Sequence, residues 1–344
     1  MLGEEERRRL EGHLSEVLSA DVAIGAVKRF HGGASRETYG LDVTIGGEPR
    51  GLIVRRDPAD SLIDTERSIE YAAYCSYADT AVPVPRPITL VEDDSILGAP
   101  FFVMERIEGA DAASPFDPAA YGEHRENVGK AFFNILGLIH AVDPATSALA
   151  KVTVIPEPTT CWQSELDYWE SEIQNDALEP QPIALAAIRW LRRNPPPPPK
   201  RLVIVHGDYR TGNVLADGKG GISAVLDWEM AHIGDPHEDL AWALDPLWNV
   251  RDDDSAGGLI PRDKAIALWE QSSGLRYDPE SFAWWEMFAT VKSLGIWISS
   301  AKAFADGVNT DPILAFSGLY TTNRSNQIIS RRFVEQITAA GALS

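Results

Sequence analysis

Residues 205–229 read VHGDYRTGNVLADGKGGISAVLDWE, gathering His206, Asp208 and Asn213 in one short loop with Asp227 after an apolar run. The apolar segment LVIV delivers HGDYRTGN, and Gly207 and Gly212 hold the loop open. If the apolar runs on either side of ADGKGG pair as a hairpin, Asn213 and Asp227 come to lie on adjacent strands with their side-chain oxygens converging. Carboxylate and amide oxygens are what Mg2+ selects, usually completed by water and substrate phosphates. Asp208 is then left as a base for the proton of an attacking hydroxyl. Asp and Asn beside glycine are also ordinary turn formers, so HGD or LDWE alone says little. Their joint spacing after a glycine-rich hairpin points to phosphoryl transfer.

The rest of the chain supplies two units around that stretch. Its 344 residues, 44% of them apolar, are enough for about two domains with their own cores. Leu10, Leu14, Val17 and Leu18 fall at helical spacing. The period then changes to two: AIGAVKRF reads as a strand, FHGGASRET as a glycine-rich turn, and Tyr39, Leu41, Val43 and Ile45 as the first arm of a hairpin closed by GLIVRRDP. A helix over 64–79 and two further strands in VPVPRPITLVEDDSILGAPFFVMERIEG follow. From Asp111 the pattern is mainly helical, with Val128, Phe132, Ile135, Leu136 and Ile139 on one face. Pro195 to Pro199 read as a stiff extended connector. The expected fold is α+β: a small antiparallel-sheet lobe over 1–107 and a larger helical lobe over 108–344.

Charge and composition narrow the partners. A net charge of -20 repels nucleic acid and anionic membranes. Cys75 and Cys161 have no CxxC spacing or histidine cluster around them and read as idle thiols in a reducing compartment. The charged first residues lack a signal-peptide core, and the most apolar long segment is interrupted by Lys292 and Lys302, so a cytoplasmic protein is expected. Oligomeric state is not legible.

Taken together, FHGGASRETY, HGDYRTGNVL and LDWEMAHIGDPHEDLAW resemble the aminoglycoside phosphotransferase and choline kinase group, which shares the two-lobed protein-kinase-like fold. Within that group the chain looks most like the kinase-like domains fused to acyl-CoA dehydrogenases. The resemblance implies ATP and Mg2+ as cofactors, Asp208 as catalytic base, and Asn213 and Asp227 as metal ligands. Arg210 would face the transferred phosphate, and Gly32, Gly33 and Ser35 would cover the ATP phosphates. Arg55 stands where this fold usually has lysine; its helix partner would be Glu70, with Glu66 as second choice. Glu105 and Ile107 would offer main-chain groups to the nucleobase. His206 reads as scaffold, Asp235 and Asp239 as capping and loop-anchoring groups, and Glu229 as a residue near the metal or substrate.

The acceptor is less defined than the reaction. Tryptophan and phenylalanine in CWQSELDYWESEIQ and FAWWEMFATVKSLGIW suggest either helix core or an apolar acceptor cleft, hence a small and partly apolar hydroxyl compound. An aminoglycoside, a hydroxyacyl-CoA and a catalytically silent nucleotide-binding module are the alternatives.

Overall fold

The computed structural model of the chain describes residues 2–30, 37–57, 67–251 and 253–339. Gly32, Gly33 and Ser35, and also Glu66, lie outside them.

Helix α1 (Glu4–Leu18) precedes three strands, β1 (Val22–Phe30), β2 (Glu37–Ile45) and β3 (Glu48–Arg56). After α2 (Arg67–Tyr77) come β4 (Pro87–Val91) and β5 (Phe101–Glu105), completing an antiparallel sheet of order β1-β2-β3-β5-β4. Alternation along the strands gives the sheet two different faces. Tyr39, Leu41, Val43, Leu52, Val54 and Val103 close a core with Leu10 and Leu14 of α1. The other face carries Ile53 and Arg55, and Phe102 and Met104 beside them in register. There Phe102, Met104, Tyr74 and Tyr77 are buried in one continuous core with the second lobe.

An extended segment after Glu105 leads to the short strand β6 (Asp111–Ala112) and then to α3 (Arg125–Ala141), α4 (Gln163–Asp176) and α5 (Pro182–Arg193). Pro195 to Pro199 carry neither helix nor strand and bridge α5 to β7 (Val203–Val205). Strands β8 (Val214–Ala216) and β9 (Ile222–Val225) form the hairpin around ADGKGG, and β10 (His232–Gly234) pairs with β7. The chain closes with α6 (Pro236–Ala243), α7 (Arg262–Ser273), α8 (Pro279–Ala305) and α9 (Pro312–Ala339).

Helix α8 is buried on most of its circumference. Trp284, Trp285 and Phe288 are wholly enclosed and pack on one another, with Trp162 against Trp284. Burying each such ring is worth roughly 1.5–3 kcal/mol. Most of the aromatic residues that suggested an apolar acceptor cleft, Trp162, Trp169, Phe282, Trp284, Trp285 and Phe288, are therefore helix core. Among the described residues no helix is long and apolar enough to cross a membrane.

Candidate active site

The loop after β7 is built by hydrogen bonds to its backbone. Asp239 of α6 accepts the N–H groups of His206 (2.6 Å) and Gly207 (2.9 Å), and its other neighbour is His140 of α3 at 3.2 Å. Burial pushes the Asp239 carboxyl up, but the bonds from His140 and from the His206 backbone N–H hold the group below the usual carboxylate range. Gly207 takes φ 85°, and a Cβ there would lie 2.5 Å from the Met230 carbonyl oxygen, so glycine is required. His206 is fully enclosed. Its Nε2–H donates to the Leu226 carbonyl (2.9 Å), and its Nδ1 accepts the Asp208 N–H (3.1 Å). That pattern needs the neutral ring, and burial lowers its pKa accordingly. His206 is scaffold, tying the loop to the second strand of the hairpin.

Three side chains fix the Asp208 carboxylate. The Asn213 amide N–H donates to Oδ2 at 2.7 Å and to the Asp208 carbonyl at 2.8 Å. The Trp242 indole N–H donates to Oδ1 at 2.8 Å, and Arg210 Nε reaches both oxygens at 3.1 Å. Arg210 lies across Gly212, where a Cβ would strike its guanidinium, and over the Trp248 ring at 5.3 Å. Asp208 is thus not a bare base; it is a carboxylate held at both oxygens. Since the Asn213 nitrogen is committed to Asp208, its oxygen is the atom left for a metal.

The hairpin brings the second group of carboxylates near. Leu226 N–H donates to the Asn213 carbonyl (2.8 Å), which sets the two chain segments side by side. Neither Asn213 nor Asp227 lies on a strand, contrary to the simplest hairpin reading. Asn213 ends a single 3-10 turn, and Asp227 follows β9 with φ 67°, a left-handed conformation that stops the ladder. Tyr74 accepts the Asp227 N–H at 3.1 Å.

Arg55 joins the lobes at this point. Its guanidinium contacts Glu70 at 2.5 Å, Asp227 at 3.1 Å and Glu229 at 3.8 Å, while Arg55 itself is only 9% exposed. Burial alone would depress its pKa, yet Asp227, Tyr74 and Glu229 press it upward and win. The same contact holds the Asp227 carboxyl below its ordinary range against the cost of desolvation, with about a third of the side chain still exposed. Among the described residues, three carboxylates contact the Arg55 guanidinium. Arg55 Nε is buried without a partner among the described residues, an N–H that a phosphate oxygen would satisfy. The donor set and that orphaned N–H fit a magnesium nucleotide, with Asn213, Asp227 and Arg55 as the residues that would hold it.

The expected residues thus fall into two linked groups. Asp208, Arg210 and Asn213 share one hydrogen-bonded knot, and Arg55, Glu70, Asp227 and Glu229 share one ion cluster. Glu105 ends β5, and Ile107 follows in the segment between the lobes. Asp235 caps α6 by accepting the His237 N–H, so its reading as a cap holds. Sequence reasoning passed over Tyr74 and Trp242. Tyr74 lies four residues after Glu70, and Trp242 three after Asp239, spacings that put each on the helix face of a residue already singled out.

A second cluster gathers around Lys292, whose ammonium lies over the Trp242 ring. Glu165, His232 and Glu238 place ligand-type atoms within 4.8 Å of one another, and Lys292 donates to Glu238 at 3.0 Å. His232 is 3.1 Å from Glu238, and its pKa is pushed up to about 10: burial opposes the charge, but Glu165 and Glu238 outweigh it.

Comparison with known proteins places this geometry. Residues 26–275 match the model of the phosphotransferase enzyme family. The mouse acyl-CoA dehydrogenase family member 10 is 31% identical over 222 residues, covering 62% of this chain and 20% of that protein, so the chain spans about a fifth of that relative. A Ralstonia eutropha crystal structure described as a candidate aminoglycoside phosphotransferase superposes with a TM-score of 0.76 at 22% identity, over 94% of this chain and 97% of the other. An aminoglycoside phosphotransferase in a ternary complex with AMP-PNP and hygromycin B gives 0.61 at 17% identity, over 93% and 97%. The fold is the two-lobed, protein-kinase-like α+β fold of these enzymes.

Proposed function

The chain belongs to the phosphotransferase enzyme family, and from that premise we propose that it transfers the terminal phosphoryl group of ATP to a hydroxyl of a small molecule. The observation that carries this reading is the knot at Asp208, a carboxylate fixed at both oxygens beside a cluster of carboxylates and one guanidinium. The acceptor oxygen attacks the terminal phosphorus as the bond to the departing ADP oxygen breaks, and the hydroxyl proton passes to Asp208. Arg210, lodged against Asp208, stabilises charge developing on the phosphoryl oxygens. Asn213 and Asp227 would hold Mg2+, which when bound would neutralise phosphate charge. Arg55 grips the phosphates, with Glu70 orienting it; Gly32, Gly33 and Ser35 cover them, and Glu105 and Ile107 meet the base through their backbone.

The buried aromatic residues of α4 and α8 give the acceptor no apolar character, so the proposal is confined to a small hydroxyl compound. A silent module would be expected to lack one of Asp208, Asn213 and Asp227, and all three are present and connected. The test is an ATP-consumption screen over aminoglycosides, macrolides, aromatic alcohols and hydroxyacyl-CoAs. Acceptor-dependent ADP release is expected from at least one class; no release from any, together with no ATP binding, would overturn the reading.

A further inference from the structure

We infer that Trp242 is a positioning residue for phosphoryl transfer: its indole N–H fixes the Asp208 carboxylate, and α6 acts as a jig that sets both the backbone and the side chain of the catalytic loop. This role rests on the function proposed above.

The observations meet on one helix face. Asp239 and Trp242 are three residues apart in α6, so their side chains project to the same side. Asp239 holds the N–H groups of His206 and Gly207, and Trp242 holds Oδ1 of the next residue, Asp208, at 2.8 Å. Two attachment points on a rigid turn of helix fix the position of Asp208 and also the rotation of its carboxylate. Trp242 is itself held tightly. It is 2% exposed and packs edge-on against Trp248 with ring centroids 5.3 Å apart. On the other side the Lys292 ammonium sits 5.4 Å from its ring centroid, anchored by Glu238. A cation over an indole face draws electron density from the ring and strengthens its N–H as a donor. The donor is aimed at an anionic acceptor, the stronger class of hydrogen bond. A proton acceptor turned out of line with the incoming hydroxyl loses rate without losing nucleotide affinity.

Two measurements on the full chain test this. In the 15N–1H spectrum of the tryptophan indoles, the resonance removed by Trp242→Phe is expected to move upfield in Asp208→Asn, because the anionic acceptor has gone; a resonance indifferent to Asp208→Asn overturns the inference. If Trp242→Phe does not fold, through-bond assignment in the unsubstituted chain identifies the same resonance. In turnover, Trp242→Phe is expected to lower kcat roughly 10- to 100-fold, the worth of one charge-assisted bond, with KM for ATP unchanged. It should add nothing further in the Asp208→Asn background. A kcat within twofold of the unsubstituted chain, or a loss confined to KM, overturns it. Failure of the chain to turn over any acceptor counts against the proposed function, while the indole spectrum still decides whether Trp242 holds Asp208.

Discussion

Two carboxylate clusters, one around Arg55 and one around Lys292, differ in how their cations are satisfied. At Glu165, His232, Glu238 and Lys292, two carboxylates face an imidazolium and an ammonium, so the cluster neutralises itself. At Arg55, Glu70, Asp227 and Glu229, three carboxylates face one guanidinium. The first has the tighter ligand-like geometry, with three candidate atoms within 4.8 Å, yet its own cations fill the place a metal would take. The second holds a buried guanidinium Nε–H without a partner among the described residues, a donor for an anionic ligand. An unsatisfied buried donor is costly, so that N–H, more than the crowding of ligands, marks the candidate functional cluster.

Removing one internal cation should have the largest effect. Lys292→Met strands Glu238 in a site where both partners are nearly inaccessible, and a loss of about 3–5 kcal/mol is expected in urea unfolding. A loss under 1 kcal/mol would mean that His232 alone balances the cluster. Next in size, Asp208→Asn is expected to lower turnover by a factor of about 10^2 or more while MgATP still binds; undiminished turnover would remove Asp208 as the base.

The self-neutralised cluster also predicts a pH dependence. His232 has a folded pKa raised to about 10 above an ordinary value near 6.5. Its stabilising charge is therefore fully present below about pH 6.5 and is lost as pH rises through about 10. The urea midpoint should fall across that window, and should fall less in His232→Gln. The smallest effect belongs to Arg55→Lys, which keeps the charge opposite Glu70 but gives up the fork that also reaches Asp227. KM for ATP should rise several-fold with kcat nearly kept; a collapse of both would show that the fork orders the whole cluster.

Much of this was legible before the structure. Strand alternation at Tyr39, Leu41 and Val43 marked the hairpin that the sheet contains, and the spacing of Asp208, Asn213 and Asp227 pointed to the region where the candidate site lies. Arg55 met Glu70 as expected. Local pattern could not show that Asp227 leaves the strand in a left-handed turn, where its N–H and carboxylate meet Tyr74 and Arg55 of the other lobe, contacts distant in sequence. The tryptophans of α8 were ambiguous for a related reason: core and cleft share a composition, and only packing separates them. Trp242 escaped notice because a tryptophan beside apolar neighbours looks like core until its indole N–H is found on a carboxylate.

The most direct test of which cluster is functional is calorimetric titration of ATP, with and without Mg2+, into the unsubstituted chain, Asp227→Ala and Glu165→Gln. The Mg2+-dependent part of the affinity should vanish in Asp227→Ala and stay intact in Glu165→Gln. Unchanged affinity in Asp227→Ala, or its loss in Glu165→Gln, would contradict the assignment to the Arg55 cluster.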